Sequence, residues 1–514
     1  MDVFGIEDVP QLLEDKELEQ VQEAFQEQIE KIEQNPSRLE NSEELKAGFE
    51  VEYTILDGNN SQASEEERDR IKNQGDEILD SELAASVIEA RTDPISEPDS
   101  LKEFEQELQK KEDRTAELAE NQGFDLLRYG TNPFPLLREF ERSGGQESRY
   151  ELFANFLDDV RNDEMVHHRF GINEAIDPRD IHYSGMISST QTNLQAQGLD
   201  DAVDKANLAY MFAPYAEAIG ANARIIEGKD TGISDMRMPL WEKSADIRED
   251  EDFGEKAPRA GKLESYFNDI GDYFERLDPI YVAPDADSAM DQAIANNWED
   301  INIKFDREEG NALVEIRPLS IQPSVREDVA LSAFMMGRIA YAQENQESLL
   351  DIGKVNRNRY TAMHNGLTEK LYDSSGKQRE ATSVIRDELD YARQGLDILD
   401  LDYQDFIGGE QDLFDVALGQ RLESERTPGD RSAQNYRRNV DQYEMSLDDA
   451  LADAMGEFKV NGEEHPYREQ ARKKIRARRE SKFHDREFEP ESFEDKTYDS
   501  FDDQFPDDGG FVGP

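Results

Sequence analysis

Two glutamates, Glu50 and Glu52, stand two residues apart inside the apolar run GFEVEYTIL at residues 48–56. The alternation of this run predicts a β-strand, in which residues two apart point to the same face. The two carboxylates would share one face, while Phe49 and Val51 line the other. An ionised carboxylate among apolar neighbours is costly unless it is paired or binds a cation. The chemistry that this pairing favours is cation binding.

Two further segments place acidic residues in the same setting. SVIEA puts Glu89 between Ile88 and Ala90, and LVEIRPL puts Glu315 and Arg317 on one strand face. If these strands are neighbours in one sheet, the carboxylates converge, and an all-oxygen ligand set favours Mg²⁺ or Mn²⁺. Asp and Glu are 118 of the 514 residues, so chance pairs of solvated acids stay an alternative on these residues alone.

Two polar segments would complete such a site. SSTQTNLQ, residues 188–195, is strand-like, and its alternating amide and hydroxyl groups could line a polar cavity. EGKDTGISDMRMPLW, residues 227–241, is a loop that combines Gly, Ser, Arg and Trp. Loops with Arg and Gly commonly bind carboxylate or phosphate. Taken alone, each segment is also typical of a strand or loop that has no binding role.

The elements that must position these residues alternate between strands and long helices. SLKEFEQELQKKEDRTAELAENQG predicts an amphipathic helix, and INIKFDREEGNALVEIRPLSIQP predicts a hairpin. From Asp328 onward the chain is mostly helical in pattern. This order favours an α+β fold with an antiparallel sheet and helices on one face.

Composition divides the chain into three parts. The pattern predicts an acidic helical segment at residues 1–45, a central domain at 46–442, and a third part at 443–514. This last part contains a basic, helix-like stretch, Tyr467–Arg486, before an acidic tail that we expect to be disordered. The basic stretch would bind a partner or lie on the protein's own acidic surface.

The net charge is −60, from 58 basic and 118 acidic residues. Such a surface repels nucleic acid and anionic membranes, so we expect neither as a partner of the central domain. With 36% hydrophobic residues, the chain can still form a packed core. The composition suits a folded protein in a salt-accumulating cytoplasm, where the Debye length is roughly 3 Å near molar salt.

Several classes of site are excluded. The chain has no cysteine, which rules out disulfides, thiolate metal sites and a cysteine nucleophile. No P-loop, G-x-G-x-x-G or G-x-S-x-G motif has the required spacing. The acidic N-terminus lacks the apolar region of a signal peptide, and no apolar run is long enough to span a membrane. We therefore expect a soluble, cytoplasmic protein.

Six segments occur in an order that resembles the glutamate–cysteine ligase family of the plant and bacterial type, with the related carboxylate–amine ligases. They are GFEVEY, SELAASVIEARTDP, GTNPF, SSTQTNLQ, IEGKDTGISDMRMPLW and VEIRPLSIQP. The resemblance covers roughly residues 46 to 440. It implies a fold like the catalytic domain of glutamine synthetase, in which an antiparallel sheet forms a carboxylate-lined funnel and residues 46–442 are the catalytic domain.

The resemblance also implies an activity. The family uses ATP to phosphorylate the γ-carboxylate of glutamate, and the amine of cysteine then displaces phosphate to give γ-glutamylcysteine. The expected partners are ATP, glutamate, and cysteine or another amine, with Mg²⁺ or Mn²⁺ as cofactor. A ligase for a different amine and a non-catalytic acidic scaffold stay as alternatives, and the oligomeric state, including a homo-oligomer, stays open.

The resemblance assigns roles to particular residues. Arg237 and Arg317 would divide two tasks, binding a substrate carboxylate and binding the transferring phosphoryl group. Asn132 departs from the pattern, because related sequences often have His there. The implied metal ligands are Glu50, Glu52, Glu89, Gln191 and Glu315, and the implied substrate-binding residues are Thr190, Asn193, Ser234 and Trp241.

Overall fold

The computed structural model describes ten stretches of the chain: residues 15–36, 46–75, 79–96, 101–134, 181–244, 260–277, 289–295, 297–306, 311–404 and 411–460. The chain separates into two units, Met1–His465 and Pro466–Pro514. The second unit, with the predicted basic stretch Tyr467–Arg486 and the acidic tail, lies outside the described residues.

Helices make up most of the described structure. They are α1 (Asp15–Gln34), α2 (Glu65–Lys72), α3 (Leu101–Glu120), α4 (Leu199–Gly220), α5 (Arg237–Ser244), α6 (Ile270–Arg276), α7 (Ala289–Ala295), α8 (Val325–Glu344), α9 (Ile352–Asn365), α10 (Ala381–Ile398), α11 (Leu413–Ser424), α12 (Pro428–Tyr443) and α13 (Leu447–Met455). Short 3₁₀ helices span Ile181–Met186 and Gly456–Phe458.

The strands form one large sheet and two small hairpins. They are β1 (Lys46–Asp57), β2 (Leu79–Ser81), β3 (Val87–Arg91), β4 (Ile95–Ser96), β5 (Phe124–Leu127), β6 (Thr190–Ala196), β7 (Ile225–Ile226), β8 (Lys229–Asp230), β9 (Ile301–Asp306), β10 (Asn311–Ile316), β11 (Lys370–Tyr372) and β12 (Gln378–Glu380). The large sheet has the order β2-β3-β1-β6-β10-β9, and β4 and β5 also pair with β1.

Every strand pair in the large sheet is antiparallel, which confirms the predicted α+β fold. One face of the sheet packs on helices, with α4 against β6, β9 and β10, and α3 against β3 and β5. Phe49 illustrates this face, because its ring meets the edge of Phe104 on α3 at 5.0 Å between centroids. The period-two alternation of β1 therefore leaves Glu50 and Glu52 on the opposite face.

A buried ion network joins helices α8 and α10 behind the sheet. Arg338 is fully buried and donates to Glu388 at 2.5 Å and to Glu347 at 2.6 Å. Its guanidinium also lies 3.9 Å from the ring centroid of Phe212 on α4. Buried charge of this kind is stable only while its partners remain in place.

Replacing Arg338 by Leu should lower the free energy of unfolding by about 3 to 5 kcal/mol, because it leaves Glu388 buried without its partner. Chemical denaturation in molar KCl would measure the change. The matched surface control is Arg114→Leu, which removes an exposed pair with Glu117 and should change stability by less than about 1 kcal/mol. Equal losses in the two variants would contradict the prediction.

The two ends of the described unit pack onto its core. Val21, Phe25 and Ile29 of the predicted N-terminal helix are buried in the main hydrophobic cluster. Beyond α13, Phe458 packs edge-on against Tyr129 at 5.1 Å. The described fold thus continues to residue 460, past the predicted boundary at 442. The acidic composition of this segment masked the apolar side of α13. No helix among the described residues is long and apolar enough to cross a membrane.

Candidate active site

A cavity of about 670 Å³ lies over the sheet face that the helices leave uncovered. Strands β1, β3, β6, β9 and β10 supply its floor, and α5, α7 and the turn between β2 and β3 supply its walls. Eight residues singled out from the sequence line it: Glu50, Glu52, Glu89, Gln191, Arg237, Trp241, Glu315 and Arg317.

Strand register explains how these residues meet. Glu52 on β1 lies directly opposite Glu89 on β3, and Glu50 lies opposite Gln191 on β6. Residues directly opposite in a sheet project to the same face, with Cβ atoms about 5 Å apart. Glu315 on β10 reaches the same face through its pairing with β6.

Three carboxylates form a compact group at one side of the cavity. One oxygen each from Glu52, Glu82 and Glu89 lies within 4.8 Å of the other two. Burial raises the pKa of Glu89 well above its usual range, and the negative charges of Glu50, Glu82 and Glu52 raise it further. A divalent cation would relieve this repulsion, and three carboxylate oxygens fit Mg²⁺ or Mn²⁺.

Glu82 was missed by the sequence reasoning. It lies in the turn between β2 and β3 and not in a strand, so no alternation of apolar residues marked it. The available signal was the apolar run Leu83–Ala85 directly after Glu82, which itself lies only seven residues before Glu89.

Glu52 is held in a fixed orientation by β6 and the residue before it. The backbone N–H of Ser189 donates to Oε2 at 2.7 Å, and Nε2 of Gln191 donates to Oε1 at 3.0 Å. Burial raises the pKa of Glu52, an effect that the positive charge of Arg237 and these hydrogen bonds oppose.

The other side of the cavity combines acids with basic groups. Glu315 forms an ion pair with Lys304 of β9 and accepts from Nε of Arg317 at 2.5 Å. Burial opposes its ionisation, but the charges of Arg317 and Lys304 prevail and lower the pKa of Glu315. Asn193 donates to Oε1 of Glu50 at 3.1 Å. Lys304 also escaped the sequence reasoning, because a lysine in a hairpin usually faces solvent.

Arg237 opens helix α5 at the wall of the cavity. Its Nη2 donates to the carbonyl oxygen of Arg317 at 2.9 Å, and its backbone N–H donates to Asp235 at 3.2 Å. The side chain is buried, and within the described chain its Nε has no hydrogen-bond partner. A buried N–H without a partner is rare, and a bound oxyanion at the cavity wall would satisfy it.

Residues 46–431, three quarters of the chain, match the model of the family described as glutamate–cysteine ligase family 2. The chain belongs to this family. Its members are carboxylate–amine ligases, which agrees with a cavity that combines acidic and basic groups. No curated protein sequence matches the chain.

The solved structures with a similar fold have low sequence identity to this chain. The glutamate–cysteine ligase of Francisella tularensis in complex with AMP is 13% identical, with a TM-score of 0.52, over 88% of this chain and 96% of that one. A bifunctional glutathione synthetase from Pasteurella multocida is 11% identical, with a TM-score of 0.47, over 87% of this chain and 55% of that one. The first likeness shows the ligase fold.

Arg359 of α9 links the elements that carry the two cavity arginines. Its Nε donates to Asp300 at 2.5 Å and its Nη1 donates to Glu242 at 2.7 Å. Glu242 belongs to α5, the helix that begins at Arg237, and the carbonyl oxygen of Asp300 accepts from the backbone N–H of Arg317 at 3.0 Å. Arg359 is therefore a positioning residue for both arginines.

The same contacts set the ionisation of Glu242. Burial would raise the pKa of Glu242, but the charges of Lys243 and Arg359 lower it to about 2. A carboxylate with a lowered pKa stabilises the folded state above its unfolded pKa of about 4.5, and this stabilisation disappears as the pH falls toward 2. The link between α9 and α5 is thus intact at neutral pH.

Replacing Arg359 by Lys should lower kcat about tenfold, because the single ammonium nitrogen of lysine cannot span Asp300 and Glu242 as the separate guanidinium nitrogens do. Steady-state kinetics together with the melting temperature would separate the two effects. If the folded variant kept the wild-type kcat and lost only stability, the positioning role would be wrong.

An aromatic pair forms the apolar wall of the cavity. Trp241 and Trp298 stack with ring centroids 4.9 Å apart, and Nε1 of Trp241 donates to the carbonyl oxygen of Trp298 at 2.7 Å. Ile294 of α7 extends this wall. Trp298 was not singled out from the sequence, since it lies in the short segment before β9.

Three predicted substrate-binding residues are not part of the cavity lining: Asn193, whose amide bonds to Glu50, and Thr190 and Ser234. Thr190 lies one position before Gln191 on β6, so its side chain points to the helical face, where the hydroxyl donates to Asp328 at 2.5 Å. Ser234 is buried, and its backbone N–H donates to the carbonyl oxygen of His364 at 3.1 Å. Thr190 and Ser234 support the site from behind and do not line it.

Proposed function

We propose that this family member is an ATP-dependent glutamate–cysteine ligase that forms γ-glutamylcysteine through a γ-glutamyl phosphate intermediate. The observation that carries the proposal is the composition of the cavity. Three carboxylates lie at one side with Arg237 next to Glu52, and Arg317 and Lys304 lie on the other side of the same cavity. Such a pairing suits a reaction in which a metal-bound nucleotide transfers a phosphoryl group to a carboxylate.

The reaction would proceed in two displacement steps. In the first, an oxygen of the glutamate γ-carboxylate attacks the γ-phosphorus of ATP, and the bond to the bridging oxygen breaks, so that ADP leaves. In the second, the acceptor amine attacks the carbonyl carbon of the γ-glutamyl phosphate, the C–O bond to phosphate breaks, and the nitrogen releases a proton. ATP, glutamate and amine thus give ADP, phosphate and an amide. No protein nucleophile is needed.

Glu52, Glu82 and Glu89 would hold Mg²⁺ or Mn²⁺, with Gln191 beside Glu52 as a neutral ligand. A divalent ion held there would offset the negative charge of the phosphates. The carboxylates themselves fix its position, and Ser189 fixes the orientation of Glu52 through its backbone N–H.

Arg237 and Arg317 would each bind a different anionic group of the substrates. Arg237 lies next to Glu52, where the phosphates would meet the ion, and its unpaired Nε suits a transferring phosphoryl oxygen. Arg317 lies beside Glu315 on the other side of the cavity, where a guanidinium can bind the carboxylate of glutamate. Trp241 and Trp298 would form the apolar part of the acceptor pocket.

The proposed function is tested by ADP release in molar KCl with ATP, Mg²⁺ and glutamate, in the presence of a panel of amines. We expect cysteine to give the highest rate and no product without glutamate. A higher rate with a different amine would overturn cysteine as the acceptor but keep the ligase chemistry. ADP release that depends on no amine would overturn the ligase assignment.

A further inference from the structure

Lys304 occupies a position in which a cation faces two acidic residues of the cavity. We propose that its ammonium group is the resident counter-cation of Glu50 and Glu315, so that divalent ions bind only at the Glu52, Glu82 and Glu89 side. The inference rests on the proposed function, because it concerns the ions of that same cavity. It also changes the role of Glu50 and Glu315, which the resemblance assigns as metal ligands.

Both carboxylate oxygens of Glu315 already have basic or amide partners. Oε1 forms the ion pair with Lys304, and Oε2 accepts from Nε of Arg317 at 2.5 Å and from Nδ2 of Asn302 at 3.5 Å. The side chain of Glu315 is only 1% exposed. A metal ion at this carboxylate would have to compete with these three donors.

Glu50 faces the same ammonium group from the other side of β6. Burial raises the pKa of Glu50, and the charge of Lys304 opposes this rise more than any other charged group does. Asn193 donates to Oε1 of Glu50, so part of its hydrogen-bonding capacity is also used within the protein. Lys304 is therefore the largest opposing charge at Glu50 and at the same time an ion-pair partner of Glu315.

The balance of charge differs between the two sides of the cavity. Among the described residues, Glu50 and Glu315 have two cations in common, Lys304 and Arg317, and these match their two negative charges. On the other side of the cavity, Glu52 faces Arg237 and Glu89 faces Arg91. Arg91 is itself ion-paired with Asp80, and its Nε lies 3.8 Å from Glu89, beyond hydrogen-bond distance. Among the described residues, Glu52 and Glu89 thus have less positive charge beside them, and a divalent ion would bind there, within reach of an oxygen of Glu82.

An ordinary surface ion pair between Lys304 and Glu315 would look the same in the structure. Removal of Lys304 would then have a different effect on the ions bound in the cavity. The Lys304 side chain is 33% exposed, whereas its partner is buried. A surface pair contributes little, and its removal would leave the ion content of the cavity unchanged. A resident counter-cation, when removed, leaves two buried carboxylates that need a replacement.

Counting bound Mn²⁺ distinguishes these cases without turnover. Equilibrium dialysis of the full chain in molar KCl, after removal of metal with EDTA, would give the number of Mn²⁺ ions per chain. We expect Lys304→Met to bind one more Mn²⁺ than wild type, and Lys304→Arg to keep the wild-type number. The triple variant, which combines Lys304→Met with Glu50→Gln and Glu315→Gln, should again bind the wild-type number of Mn²⁺ ions.

The matched control is Lys205→Met, which breaks a lysine–carboxylate pair with Asp201 at 2.7 Å on α4, away from the cavity. It should bind the wild-type number of ions. If Lys304→Met does not fold, Lys304→Gln serves the same purpose.

Equal Mn²⁺ numbers in wild type and in the folded Lys304→Met or Lys304→Gln variant would overturn the inference, even in an active ligase. Absence of Mn²⁺ binding to all of these proteins would overturn it as well. Absence of ligase activity, with one extra ion bound in the variant, would overturn the proposed function and leave the inference standing.

Discussion

Replacing Glu52 by Gln is expected to reduce the rate of ADP release about a thousandfold, with the fold retained. Glu52 is the member of the three-carboxylate group that two protein donors orient, from Ser189 and Gln191. The change to Gln keeps the size of the side chain but removes one of the negative charges that would hold the cation. Positioning of the phosphates depends on that cation, so kcat should fall with it.

The measurement is the steady-state rate of ADP release across a Mg²⁺ titration, with circular dichroism as the test of folding. Glu117→Gln is the matched control, because Glu117 is an exposed residue of α3 that pairs only with Arg114 among the contacts recorded for it. A rate within a few-fold of wild type for Glu52→Gln would show that the carboxylate group does not bind the catalytic ion.

Replacing Arg237 by Lys is expected to lower kcat about a thousandfold with a much smaller change in the KM for ATP. The guanidinium is held by the carbonyl oxygen of Arg317, and its Nε is left for a ligand. Lysine keeps a positive charge but offers one point of contact, so it cannot both bond to that carbonyl oxygen and reach the transferring phosphoryl group.

Single-turnover and steady-state kinetics would separate the effect on the chemical step from the effect on ATP binding. The matched control is Arg393→Lys, since Arg393 contacts Asp412 and Asp415 away from the cavity. A loss confined to the KM for ATP would contradict a role in the transition state and would make Arg237 a residue of the binding step.

The convergence of Glu50, Glu52 and Glu89 was predictable because it depends on strand periodicity, which the sequence displays directly. The convergence also requires the strands that carry these residues to be neighbours in the sheet, and the local sequence pattern does not reveal the order of the strands. Thr190 shows the limit of recognition by motif. It belongs to the same segment as Gln191, but the period of two already places the two side chains on opposite faces.

The residues that escaped prediction act through contacts that lie far apart in the sequence. Glu82 lies in a turn, where no periodicity marks a buried acid. Lys304 is one charged residue in a hairpin, and only its ion pair with Glu315 in the folded structure marks it as part of the site. Arg359 contacts Glu242, 117 residues earlier in the chain, and this separation leaves no local signature.

The pairing of β1 has a consequence for how the chain folds during its synthesis. Glu52 and its hydrogen-bond partner on β6, Gln191, are 139 residues apart, and β10 follows later still. Non-local strand pairing is slow, and an apolar strand whose edge is still unpaired is prone to aggregate. Charged residues on an exposed strand suppress such edge-to-edge association. Glu50 and Glu52 would thus protect β1 on the ribosome before they serve the finished enzyme.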